Sequence, residues 1–169
     1  MEQEITPRQV GLKYGLITGL GYTAYSLTLF LTHAFANRSL GWLSYLILIA
    51  GLVLACREFK AGFYNTMTFK QGTSVGFWVV LISTLISTIF TYIYIEFDKE
   101  LLEYMREQAM FELDKQHLSD EQVEQAMKMM DWFLSPEFLA GSTLIGGFIV
   151  GMIMALIVAA IMKKEPESF

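Results

Sequence analysis

Four stretches of this chain contain no Asp, Glu, Lys or Arg: residues 14–35, 40–56, 75–95 and 138–162, running to 22, 17, 21 and 25 residues. A hydrocarbon core of roughly 30 Å is crossed by about 20 helical residues, with about 17 at the lower limit. Each window is long enough, the second barely, so helix two is expected to be short or nearly upright. A water-soluble fold would have to hide all four windows behind polar chain, and too little polar chain remains. Apolar residues make up 54% of the sequence and charged residues 17%, against roughly 25% charged in soluble domains. Of the 12 basic and 17 acidic residues, sixteen fall within residues 96–137. The expected fold is therefore all-α: a single membrane domain over residues 1–169 with four transmembrane helices, and an acidic extramembrane helical hairpin over residues 98–134, between helices three and four.

Capping chemistry marks where the helices begin, because the first backbone N–H groups of a helix find no acceptor within it. Thr6-Pro7-Arg8-Gln9 combines a Thr cap, a first-turn Pro and a Gln three residues on; Thr68-Phe69-Lys70-Gln71 repeats the capping box. Helices one and three thus start ahead of their apolar windows. Ser119 is placed to cap an extramembrane helix, and Ser135-Pro136-Glu137 opens helix four with an acid at its positive end. No glycine or proline interrupts residues 77–135. Helix three is therefore expected to run on past the membrane as one rod, with residues 96–117 adding about 33 Å at 1.5 Å per residue. A return helix needs a partner, and Val123, Ala126, Met127, Met130 and Phe133 form a one-faced stripe that matches Leu102, Met105, Ala109 and Leu113. The expected result is an antiparallel hairpin turning at His117-Leu118-Ser119. Laying both helices on the bilayer is the competing arrangement; a basic polar face would favour it, but residues 98–137 hold eleven acids and four bases.

Orientation is read from Lys and Arg near the span ends. With the N-terminus inside, Arg8, Lys13, Arg57, Lys60, Lys70, Lys163 and Lys164 lie on the inner side, whereas the outer side holds Arg38 and the bases diluted in the hairpin. Both termini are expected in the cytoplasm, the hairpin outside it, with Trp42 and Trp132 at the outer interface and Trp78 at the inner. A cleaved leader is disfavoured, since signal-peptide cores run about 7–15 residues.

Ionisable groups inside the bilayer are the first functional candidates, and none lies near the middle of a span. Glu96 and His33 sit at the outer edge, which argues against an ion-coupled pump. On helix three, Ser83, Ser87 and Thr91 repeat every four residues; they form either a polar path or a set of hydroxyls that bond back to their own helix. Gly11, Gly15 and Gly19 on helix one and Gly147, Gly151, Ala155 and Ala159 on helix four allow close helix approach. They serve packing within one chain or between copies, and a homo-oligomer stays open. Glu96, Glu100, Glu103 and Glu107 make an acidic edge on the hairpin, a solvated face or the docking surface of a basic partner.

Catalytic, cofactor and metal sites are not expected. Two histidines and Cys56 cannot supply a nucleophile, a base and an orienting acid together, and no phosphate loop or zinc-protease motif occurs. Asp114, His117 and Glu121 are a weak metal set, and the hairpin methionines are better read as core filling than as copper ligands. One cysteine excludes an internal disulfide, and a net charge of −5 argues against nucleic acid.

The order of features resembles a family of small bacterial inner-membrane proteins known only as a domain of unknown function, number 4199. The likeness rests on Lys13-Tyr14-Gly15 with Gly19, on Phe69-Lys70-Gln71-Gly72, on the acidic insertion before helix four, and on the closing Lys163-Lys164. It implies a four-helix membrane protein of Gram-negative bacteria and carries over no activity, substrate or catalytic residue. The function expected from the whole sequence is a non-enzymatic accessory or scaffold role through contact of the hairpin with a periplasmic partner. The alternative is a small oligomeric channel or carrier lined by the Ser/Thr face of helix three.

Overall fold

The computed structural model describes residues 5–32, 34, 38–63, 65–115 and 120–164. Six helices follow one another: α1 (Pro7–Leu31), α2 (Arg38–Ala61), α3 (Phe69–Phe97), α4 (Lys99–Asp114), α5 (Asp120–Phe133) and α6 (Pro136–Met162). They fall into two compact units, Met1–Ser87 with Leu144–Phe169, and Thr88–Thr143.

The helix starts follow the caps. At α1 the Thr6 hydroxyl accepts from the Gln9 N–H at 3.3 Å while the Gln9 side chain accepts from the Thr6 N–H at 3.1 Å. Thr68 and Gln71 repeat this reciprocal pair at α3, and Ser135 Oγ accepts from the Phe138 N–H at α6. Each such cap stabilises a helix by about 1 kcal/mol. Ser119 and the turn at 117–119 lie outside the described residues.

Two expectations about helix length are corrected. Helix two is not short: α2 covers 24 residues and continues to Ala61. The uncharged window stops at Arg57 but the helix does not, because Glu58 and Lys60 both find partners on neighbouring helices. Helix three is not one rod into the hairpin. It ends at Phe97, and Asp98 leaves helical geometry to cap a new helix, its carboxylate accepting from the Leu101 N–H at 3.2 Å. An Asp needs neither glycine nor proline to stop a helix when its side chain can satisfy the next one's first turn.

In the first unit, α1, α2, the N-terminal part of α3 and most of α6 form a bundle. Its core holds Leu52, Ala55, Phe59, Met67, Val75, Val79, Val80 and Ala159, each at most 1% exposed. A two-residue antiparallel bridge, Met67 N–H to Lys164 O at 2.8 Å and Lys164 N–H to Met67 O at 2.9 Å, ties the end of α6 to the α2–α3 connection.

The outward surface of this bundle is also strongly apolar. Leu16, Ile17, Leu20 and Leu31 on α1, Leu46 on α2, and Ile145, Ile153 and Ile161 on α6 are all more than half exposed. Among the described residues three helices are long and apolar enough to cross a membrane, Ser39–Ala61, Phe69–Phe97 and Pro136–Met162, and only 28%, 28% and 22% of their most apolar windows are buried. Large aliphatic side chains facing outward on every helix of a bundle are stable in lipid and not in water. A multi-pass membrane protein follows. The α1 helix is not among those three, because Tyr14, Tyr22, Tyr25, Thr18, Thr23 and Thr28 dilute its leucines. Its hydroxyls are absorbed locally: Thr23 donates to the Gly19 carbonyl at 3.0 Å and Thr28 to the Ala24 carbonyl at 2.9 Å.

In the second unit, α4 and α5 are connected by residues 115–119, and Arg106 on α4 pairs with Asp131 on α5. The apolar seam expected between them is thin. Leu101 and Met130 are buried, but Leu102, Met105 and Val123 are only half-buried, and Met127 and Phe133 are exposed at 38% and 41%.

Candidate functional site

The small-residue stripes lie in the helix crossings of the first unit. A Cβ on Gly11 would strike Trp78, one on Gly15 would lie 2.8 Å from Ile82 Cβ, and one on Gly19 would lie 2.8 Å from Ile86 Cδ1. Each four-residue step along α1 meets a four-residue step in the same direction along α3. The two helices therefore run parallel. On α6 the sense is reversed: Gly147 faces Thr84, Gly151 faces Val80, Ala155 faces Gly76 and Ala159 faces Gly72. Here α3 contributes its own small residues, Gly72 and Gly76, which the sequence reading did not assign to helix packing. Their four-residue spacing, in phase with the α6 stripe, is the signal that would have found them. Close approach over glycine supplies the van der Waals contact that holds helices together where lipid removes the hydrophobic drive.

The Ser/Thr face of α3 divides among different surroundings. Ser83 is 1% exposed, sits against Gly19 of α1, and donates to the Val80 carbonyl of its own helix at 3.2 Å. Ser87 Oγ and Thr88 Oγ1 are buried without a hydrogen-bond partner among the described residues, and Thr91 is half-buried.

The acidic edge is split by the break at Asp98. Glu96 stays on α3, while Glu100, Glu103 and Glu107 belong to α4; all four are exposed. Glu96 and Glu103 line a hollow of about 260 Å³ together with Lys99, Arg106, Asp131 and Leu134, whereas Glu100 and Glu107 do not line it. On the same two helices, Phe111 of α4 and Met129 and Trp132 of α5 are exposed at 58%, 59% and 61%. Trp132 and Phe133 also pack on Phe138 with ring centroids 4.5 and 4.8 Å away, an aromatic cluster at the start of α6. His33, His117 and the Asp114 side chain lie outside what is described.

One polar constellation was missed by sequence reasoning. Lys13 on α1 donates to both carboxylate oxygens of Glu58 on α2, at 3.0 and 2.7 Å, and the Tyr14 hydroxyl donates to the same carboxylate at 2.8 Å. The hydrogen bond to Glu58 raises the Lys13 ammonium above its ordinary pKa. The signal was available: Glu58 is the one acidic residue between Glu4 and Glu96. A lone carboxylate among cations at a helix end fixes the register of two helices, a role that needs no catalysis.

The chain matches the protein family described as "Protein of unknown function (DUF4199)" over residues 13–164, and it belongs to that family. Neither a curated protein nor a solved structure matches it.

Proposed function

We propose that this member of DUF4199 is a non-enzymatic accessory or scaffold protein of the bacterial inner membrane, docking a periplasmic protein on its α4–α5 hairpin. The observation that carries the reading is the surface of the hairpin. Its helices expose Phe111 and Met129 as well as the carboxylates of Glu100, Glu103 and Glu107, and large apolar side chains outside the spans mark interaction surfaces. A basic partner with an apolar centre fits that composition. Four spans with both termini in the cytoplasm complete the reading. It is supported by α1 running beside α3 over Gly11, Gly15 and Gly19, and by Arg57, Lys60, Lys70, Lys163 and Lys164 near the C-terminal ends of α2 and α6 and the N-terminal end of α3.

Three exposed reversals, Glu100→Lys, Glu103→Lys and Glu107→Lys, are expected to leave the detergent melting temperature unchanged while abolishing cross-linking of the hairpin to its partner in intact cells. A single cysteine at Glu103, in a Cys56→Ser background, is expected to label from outside. Cross-linked species unaltered by the reversals, or labelling confined to broken cells, would remove the reading.

Ser87 and Thr88, with their unpartnered buried hydroxyls, give a second reading some support: an oligomeric channel or carrier using the polar face of α3. Its measure is solute flux in proteoliposomes, which Ser87→Leu is expected to reduce several-fold; equal flux from both chains ends it.

A further inference from the structure

The end of the first unit where α2 and α6 finish holds a hollow of about 460 Å³ lined by Arg57, Lys60, Ala61, Asn65 and Met162. Its polar groups are all donors or amides. Lys60 is half-buried and fixed, its ammonium donating to the Met162 carbonyl at 3.2 Å, which leaves two of its three N–H groups without a partner among the described residues. Arg57, one turn earlier on the same helix, is exposed and has no partner among the described residues. Asn65 is held in the left-handed region at φ 58° by its N–H bond to the Lys60 carbonyl at 2.9 Å, and its side chain is exposed at the rim. Glu58 is the one acidic side chain among the described residues of this unit, and it is occupied by Lys13 and Tyr14 of α1.

We infer that Arg57, Lys60 and Asn65 form a binding site for the phosphate of an anionic lipid headgroup. A guanidinium fork and a pre-positioned ammonium suit a phosphate's equatorial oxygens, the fork by paired hydrogen bonds and the ammonium as a point charge. Depth selects the lipid as the source. Both α2 and α6 are long, apolar helices that end at this hollow, so it opens where acyl chains give way to headgroups. Basic pockets between span ends take acidic headgroups by this chemistry. The site is separate from the hairpin and does not depend on the role proposed for it.

The test titrates the full-length chain in detergent with short-chain phosphatidylglycerol, short-chain phosphatidylcholine and inorganic phosphate, reading bound molecules by native mass spectrometry. Phosphatidylglycerol is expected to bind at least about tenfold more tightly than phosphatidylcholine, and Arg57→Gln to lose about tenfold of that affinity, the worth of one charge-assisted hydrogen-bonding group. Lys60→Gln also removes a bond to α6, so Arg57→Gln, which breaks no contact among the described residues, is the deciding variant. Lys128→Gln on α5 removes the same charge elsewhere and is expected to change nothing. Inorganic phosphate binding that Arg57→Gln abolishes would uphold the site and make its natural ligand a soluble phosphate. Equal binding of the two lipids, or equal losses in Arg57→Gln and Lys128→Gln, would overturn it.

Discussion

Gly76→Leu is expected to prevent the bundle from closing, while Gly146→Leu leaves it intact. Both glycines sit in membrane-length helices, and the substitutions add the same atoms. What differs is the space. A Cβ on Gly76 would lie 2.6 Å from the Ala155 Cβ, inside any real carbon–carbon contact, whereas nothing stands within 4 Å of a Cβ on Gly146. The leucine cannot be accommodated by turning a flexible side chain aside, because the obstacle is the first carbon of an alanine fixed to the α6 backbone. The helices must part, and parting them there also opens the neighbouring contacts of Gly72 with Ala159 and Val80 with Gly151. Overpacking ordinarily costs about 1–3 kcal/mol and more when backbones have to move; a loss at or beyond the top of that range is expected. The control is expected to stay within about 0.5 kcal/mol. Thermal unfolding of the purified chain in detergent, followed by exposure of the buried Cys56 thiol to a maleimide dye, separates the two. Equal midpoints would mean that α3 and α6 do not cross in this register.

The helices were legible in the sequence wherever a chemical signal was local. Thr6 with Gln9, Thr68 with Gln71, and Ser135 each announce a helix start within four residues, and the structure places the starts there. Helix ends were less legible, since what continues or stops a helix was often tertiary. The α2 helix outlasts its uncharged window because Glu58 meets Lys13, which is 45 residues away in the chain. Conversely, the stop at Asp98 left no glycine or proline to read; it rests on one carboxylate reaching a backbone N–H three residues on, and Asp occurs too often elsewhere to be diagnostic. The candidate site divides in the same way. The stripes of Gly and Ala could be seen in each helix separately, but the pairing of α1 and α6 with different faces of α3 is a property of the assembled bundle. The acidic edge was read as one periodic face on a continuous rod; once α3 ends at Phe97, the phase is lost and Glu96 no longer shares a helix with the other three.

Whether α1 crosses the membrane decides the topology of the whole chain by parity. Four spans return the C-terminus to the side of the N-terminus; three put the termini on opposite sides. The α1 helix is 25 residues long, and its contacts alternate sharply. Gly15, Thr18 and Gly19 are buried against neighbouring helices, while Leu16, Ile17 and Leu20 point away, exposed at 51%, 53% and 56%. It also lies parallel to α3, with Gly11, Gly15 and Gly19 at the levels of Trp78, Ile82 and Ile86. On the four-span reading proposed above, a helix running beside a spanning helix over those residues shares its depth in the bilayer. Leu20→Arg is therefore expected to cost about 2.5–3.5 kcal/mol of insertion free energy, the penalty for a guanidinium near the centre of a span. On a helix in water the same change at an exposed position would cost under about 0.5 kcal/mol. Labelling of intact cells reads the difference. In a Cys56→Ser background, a cysteine at Thr32 is expected to react with an impermeant maleimide and one at Gln9 to be protected, and adding Leu20→Arg is expected to suppress the Thr32 signal several-fold. Should Thr32 label equally well with arginine at position 20, its leucine does not face lipid. Should Thr32 and Gln9 label alike from one side, α1 does not cross, and the Lys163-Lys164 end lies across the membrane from the N-terminus.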